Sequence, residues 1–193
     1  MARRTAKVAA QTRSAIIDAA RDLFAEHGFS ATTTAQVALS AGVTEGAVFH
    51  HFKGKADLFS AVFDLLDAEM DAYARQRAQR VGGLKGMLEG FRAFLEFAQN
   101  KDYHRIVMVE APVVLSSTVW HTRDMLRGLK TVSRGVETLI ASGDLPVQPV
   151  KPLAILLLGA MNESGFALAR GEPGVTINGC VQALERLLRG QLG

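Results

Sequence analysis

A chain of 193 residues can bury a full hydrophobic core without disulfide or metal staples, and its 48% apolar and 21% charged composition, free of low-complexity tracts, excludes a disordered protein. The single cysteine, Cys180, excludes an intramolecular disulfide and fits a reducing compartment. Net charge is only +3, the longest apolar run, Leu153 to Met161, falls short of the roughly 20 residues that cross a bilayer, and no signal-type apolar stretch opens the chain, so a cytoplasmic protein outside any membrane is expected.

Arg3, Arg4, Lys7 and Arg13 precede the first acidic residue, Asp18, and predict a mobile basic arm. Such an arm either neutralises phosphates and enters a minor groove or serves as a solubilising tail. From there on, apolar residues recur every three or four positions and nowhere alternate, which predicts an all-α fold of about nine helices. In the first helix Ile16, Ile17, Ala20, Leu23 and Phe24 share a face, Thr12 is placed as N-cap and Gly28 as the stop. Thr33 and Gln36 have capping-box spacing for a short second helix carrying Val37, Ala38 and Ala41, Gly42 makes the tight turn, and Thr44 caps a third helix, Glu45 to Phe52.

Lys55 opens a long fourth helix with Leu58, Val62, Leu65 or Leu66, Glu69 or Met70 and Tyr73 inward, ended by Gly82 and Gly83. A fifth, Leu84 to Gln99, turns Met87, Leu88, Phe91, Phe94, Leu95 and Ala98 to the core, and a shorter one spans Tyr103 to Glu110 until Pro112. Ser117 to Ser142 follows as a helix closed by Gly143, and the three prolines at 146, 149 and 152 predict a loop. Leu153 to Arg170 is apolar nearly all round in its first half and is expected to be buried on more than one side. The last helix, Thr176 to Arg189, offers Ile177, Cys180, Val181, Leu184, Leu187 and Leu188. The wide apolar faces of these two terminal helices fit a subunit interface or ordinary core packing.

Residues 32–59 carry the chemistry. Two short helices meeting at Gly42 form a helix-turn-helix whose second helix can lie in a major groove. Thr32 and Thr33 put hydroxyls and free N–H groups at a helix N-terminus, a phosphate clamp. Gly46, lacking a side chain, lets the third helix approach the bases, and Ala47 can touch a thymine methyl. Glu45 accepts from a cytosine amine or simply favours the positive end of its helix. Phe49 and His50 lie farther along, with Lys55 beyond. His50 and His51 point about 100° apart on a helix and cannot readily share one ion, so His51 is expected to pack and His50 to face DNA. A zinc site, a phosphate loop and a nucleophile elbow all lack their partner residues, and neither a catalytic constellation nor a cofactor is predicted.

In these residues the sequence resembles the TetR family of bacterial transcriptional regulators over about residues 12 to 59. The shared pattern is Ala20, Phe24, Gly28, Phe29, Thr32, Thr33, Val37, Ala38, Ala41, Gly42, Val43, Thr44 and Gly46, then His51, Phe52, Lys55 and Leu58. The resemblance implies phosphate contacts at Thr33, Thr44, His50 and Lys55 and base reading by Glu45, Gly46 and Ala47. This sequence departs at Phe49, where the family has tyrosine, and at Glu45, where lysine is frequent.

The division that follows is a basic arm and DNA-binding head, 1–54, and an effector-binding and dimerisation body, 55–193. The expected protein is a homodimer joined by its last two helices, binding double-stranded palindromic DNA as a repressor and released by a small apolar or aromatic effector. The resemblance implies an effector pocket among the fifth to eighth helices. Phe91, Phe94, Met108, Trp120, His121, Met125, Met161, Asn162 and Phe166 have the composition for such a pocket, though each also suits ordinary core. Rival readings are an architectural or nucleoid-associated DNA-binding protein without a ligand, and an all-helical carrier or enzyme with a vestigial head.

Overall fold

The computed structural model describes residues 2–115 and 117–190, with side chains described from 6 to 115 and from 127 to 190. Among the described residues every regular element is helical. They are α1 (Ala2–Ala31), α2 (Thr34–Ser40), α3 (Glu45–His51), α4 (Lys55–Val81), α5 (Gly83–Phe97), α6 (Lys101–Tyr103), a π-helical segment (His104–Glu110), α7 (Ala111–Val114), α8 (Ser117–Ala141), α9 (Val150–Ala169) and α10 (Ile177–Arg189). Since α6, the π-helical segment and α7 run on without interruption, the helical stretches among the described residues number nine, as expected.

The chain packs as two compact units that are not contiguous in sequence: residues 1–68 with 101–117, and residues 69–100 with 118–193. In the first, α1 packs against α2, α3, α6 and the π-helical segment. Its interior holds Ile16, Ala20, Phe24, Val37, Val48, Leu58, Phe59, Val62, Tyr103 and Ile106, each almost fully buried. Phe24, Phe29 and Phe59 form an aromatic trio with centroids 5.2 to 6.0 Å apart, two of the three contacts edge-on.

α1 differs from its expected form at both ends. It begins at Ala2, so the arm is helical, and Thr12 is not a cap: its hydroxyl donates to the Val8 carbonyl at 3.1 Å, a bond made within a continuing helix. At the other end Gly28 does break the helical path, at φ +83° and ψ 169°, and three residues then complete the element. A side chain there would be strained by this backbone and would also press on the Arg105 and Glu110 side chains.

In the second unit, α5 packs against α9 and α10. Leu88, Phe91, Phe94, Leu95, Val136, Leu139, Leu145, Leu158, Val181, Leu184 and Leu188 make up much of its core. The second half of α4 belongs to this unit and meets α5 closely. Gly86 lies so near the Ala78 carbonyl oxygen that a Cβ would stand 2.6 Å from it. Beside this approach Arg77 donates to Glu89 at 2.8 Å, to the Tyr73 hydroxyl at 2.8 Å and to Glu96 at 3.1 Å, and the bond to Glu89 above all raises its pKa beyond the ordinary guanidinium value.

Two prolines sit elsewhere than predicted. Pro112 does not stop its helix but lies in the first turn of α7, directly after the π-helical segment, and Pro152 lies in the first turn of α9, which begins at Val150. No helix directly precedes α9, so its first-turn N–H groups have no intrahelical partner and Pro152 is at home there. α9 also differs in burial: Ala154, Leu157 and Leu158 are inside, while Ile155 and Leu156 are 40% and 70% exposed. The apolar first half of this helix is therefore covered by its own chain on one side only.

Candidate nucleic-acid interface

The α2–α3 pair is held by short-range polar bonds. Thr33, in extended backbone, accepts from the Gln36 N–H at 3.2 Å while its own N–H donates to Gln36 Oε1 at 2.8 Å, completing the predicted capping box. α2 ends at Gly42, φ +66°, with Gly42 N–H on the Leu39 carbonyl (3.2 Å) and Val43 N–H on the Ala38 carbonyl (2.9 Å), the paired bonds of a Schellman turn. Thr44 then caps α3 by accepting from the Ala47 N–H at 3.2 Å. The turn and both caps stand where the sequence puts them.

On α3 only Val48 is fully buried. Gly46, Phe49 and His50, spaced three and four apart, form the exposed face of this helix, with Phe49 53% exposed. Ala47 and His51 are half-buried, and the His51 ring lies 6.4 Å from that of Phe52, so the packed histidine and the outward one are as expected. The face thus offers a gap, an aromatic ring and an imidazole at the surface, a shape suited to lying on base edges and a phosphate rail.

Besides Thr33 and Thr44, whose hydroxyls are used in capping, three of the predicted contact residues have partners within the chain. Thr32 is almost fully buried, its hydroxyl donating to the Gly28 carbonyl at 2.8 Å and the Leu23 carbonyl at 3.2 Å, which ties α1 to the start of α2 and takes this hydroxyl out of the phosphate clamp. Glu45 is exposed and accepts from the Thr34 hydroxyl at 2.7 Å, bridging the starts of α3 and α2. Lys55 donates to the Phe29 carbonyl at 2.8 Å and stands 4.4 Å from the centroid of the Phe29 ring, so its ammonium closes the carbonyl end of α1. An ammonium has three donors, which leaves Lys55 capacity beyond this contact.

Several residues that secure the head have no local sequence signal. Arg13 lies over the Phe52 ring at 5.0 Å, and Arg21 reaches Asp102 at 2.6 Å. Arg105 donates to the Glu26 carbonyl at 3.0 Å, and Glu110 accepts from the Phe29 N–H at 2.8 Å. The last three of these contacts join residues about eighty positions apart, beyond the reach of helical periodicity.

Of the residues expected to line an effector pocket, five with described side chains lie in the second unit and one in the first. Phe91 and Phe94 are buried in the core of the second unit, Met161 packs against that core, and Asn162 and Phe166 are half-buried on α9. Met108 is buried in the first unit. Trp120, His121 and Met125 lie outside the residues whose side chains are described. An open groove in the second unit is lined by Leu129, Lys130, Ser133, Glu137, Val150 and Lys151, none of them on that list. Among the described residues no three His, Cys, Asp or Glu side chains gather as metal ligands.

Comparison with known proteins adds to this geometry. Residues 16–62 match the family model of bacterial regulatory proteins of the tetR family, and residues 84–191 match the tetracyclin repressor-like C-terminal domain. The fold is similar to that of a TetR-family transcriptional regulator from Pectobacterium atrosepticum, with 31% identity, 96% of both chains covered and a TM-score of 0.81. The HTH-type transcriptional regulator AcrR of Shigella flexneri is 44% identical over 70 residues, 36% of this chain and 33% of its own. The HTH-type transcriptional repressor BepR of Brucella suis is 45% identical over 60 residues, 31% of this chain and 29% of its own. The matched part thus spans about a third of the length of these curated relatives.

Proposed function

The chain belongs to the TetR family of bacterial transcriptional regulators, and we propose that it is a homodimeric repressor that reads a palindromic operator through α3 and lets go when a small apolar or aromatic molecule binds its body. The observation that carries the reading is the exposed α3 face of Gly46, Phe49 and His50 on a helix-turn-helix whose two N-caps and turn are complete. Thr33, Thr44, His50 and Lys55 hold phosphates. Gly46 and Ala47 approach base edges, and Phe49 offers apolar contact where a hydroxyl is absent. Glu45, held by Thr34, acts first as a brace between the two helices.

Dimerisation runs through α9 and α10, whose Ile155, Leu156 and Leu187 stand exposed. Burying such side chains against a second copy recovers the apolar contact their own chain does not supply. A two-fold axis there sets two α3 helices about 34 Å apart, one turn of DNA. Residues 1–54 serve as the reading head and 55–193 as the effector and dimer body. α4 carries Lys55 at its start and continues into the second unit, so displacement of α4 by an effector alters the head, with a coupling of roughly 1–3 kcal/mol. No cofactor or catalysis is involved, and the site of action is the cytoplasm.

The test is repeated selection of random duplex DNA by the full chain, with the mass of the free and DNA-bound protein measured alongside. Enrichment of an inverted repeat by a dimer is expected. Retention of duplexes without sequence preference, or a monomeric mass at micromolar concentration, overturns the reading.

A further inference from the structure

The joint between Gly28 and Thr32 is held from every side. Thr32 donates to the Gly28 carbonyl, and Lys55, at the start of α4, donates to the Phe29 carbonyl. From the 101–117 stretch, Arg105 donates to the Glu26 and Ala25 carbonyls at 3.0 and 3.4 Å, while Glu110 accepts from the Phe29 N–H at 2.8 Å. Guanidinium and carboxylate also meet each other at 3.5 Å. The charges suit their places, since cations favour the carbonyl end of a helix and a carboxylate favours an N–H freed by a break.

Arg105 and Glu110 are five residues apart, and that spacing is where the winding of their segment matters. On an α-helix, residues five apart point roughly 140° away from each other. His104–Glu110 is wound as a π-helix, with the Ala111 N–H on the Ile106 carbonyl. At the wider turn of an i→i+5 pattern, roughly 80° per residue, the same two side chains lie about 40° apart. The π winding is thus what turns both toward one short stretch of α1. π-helical turns are rare and frequently found at functional sites.

We propose that Arg105 and Glu110 are positioning residues for DNA recognition: presented together by the π-helical turn His104–Glu110, they clasp the broken end of α1 and fix the joint from which α2 and Lys55 take their places. Neither residue touches DNA. The inference rests on the DNA-binding reading above and names the part of the chain that sets the accuracy of that binding.

The test uses the full chain and the duplex enriched by selection, with a random duplex of equal length as reference. In Glu110→Ala the amide of Phe29 loses its acceptor, so its hydrogen exchange is expected to accelerate at least tenfold while the amides of Ile16 to Phe24 keep their protection. The ratio of affinities for selected over random duplex is expected to fall about tenfold, because the head is misplaced while its phosphate-binding charges remain. Glu110→Gln keeps an oxygen for the Phe29 N–H and is expected to restore both readings to within about threefold of the parent.

Arg105→Lys, which retains the charge but not the fork, supplies the same ratio test if Glu110→Ala does not fold, with a fall of about threefold expected. A Glu110→Ala chain with fast exchange at Phe29 and an unchanged affinity ratio overturns this inference alone. So does an unaltered ratio in Arg105→Lys. A parent chain that enriches no sequence overturns the reading of function itself.

Discussion

The α2–α3 pair and the α9–α10 pair are each two consecutive helices joined by a glycine-containing turn, yet they finish their surfaces in opposite ways. In α2–α3 the helix starts are capped by Thr33 and Thr44, the turn is closed at Gly42, and one carboxylate, Glu45, is taken up by Thr34. That pair is complete as polar local structure and awaits only a polyanion. In α9–α10 the start of α10 is capped as well, Thr176 accepting from the Gly179 N–H, whereas α9 starts after Pro149 without a side-chain cap, and Leu156 and Leu187 stay 70% and 68% exposed. What is unfinished there is apolar, and the proposed contact with a second copy would complete it.

The largest effect should come from attacking that second surface. Leu156→Glu with Leu187→Glu removes burial of about 1.5–3 kcal/mol per side chain. A monomer in sedimentation equilibrium, with helicity by circular dichroism retained, is expected, and a dimeric mass would break the contrast. Next is Gly42→Ala, which forces a Cβ into left-handed backbone with open space around it, a cost of about 1–2 kcal/mol in thermal unfolding that reflects the turn alone.

Capping separates the pairs further. Thr33→Ala and Thr176→Ala should each lose about 1 kcal/mol of stability, but only Thr33→Ala should also weaken DNA binding in a fluorescence-anisotropy titration. Equal losses of DNA affinity would dissolve the distinction. The smallest expected change is a gain: Phe49→Tyr adds a hydroxyl to an exposed ring on the α3 face, and about threefold tighter binding at low salt is expected.

How far the sequence could be read follows the same line. The capping box at Thr33 and Gln36, the Thr44 cap and the Gly42 turn are interactions over three to five residues, and each leaves its signature in the local residue pattern. Thr12 and Thr32 show the limit. Both are good cap residues, but Thr12 lies inside a helix that runs on toward the N-terminus, and Thr32 is buried on the carbonyls of Leu23 and Gly28. In these cases tertiary and flanking context overrode propensity.

In the body, periodicity found α5, α8 and α10 because their apolar stripes face one core. It could not say which flank of α9 its own chain would leave open, since both flanks are equally apolar. The π winding of His104–Glu110 was beyond reach for a related reason. Its polar partners are carbonyls and an N–H of α1 about eighty residues away, and backbone groups carry no sequence signature.

The discontinuous first unit also has a bearing on synthesis. α1, α2 and α3 are made first, but α1 packs against α6 and the π-helical turn, which the ribosome reaches only some fifty residues after α3 ends. At roughly 5–20 residues per second that is an interval of several seconds in which a nascent chain holds a reading helix before its clasp exists. Maturation of the head is therefore timed by the middle of the message, and a ribosome that stalls before codon 110 leaves a helix-turn-helix without the Glu110 acceptor for Phe29.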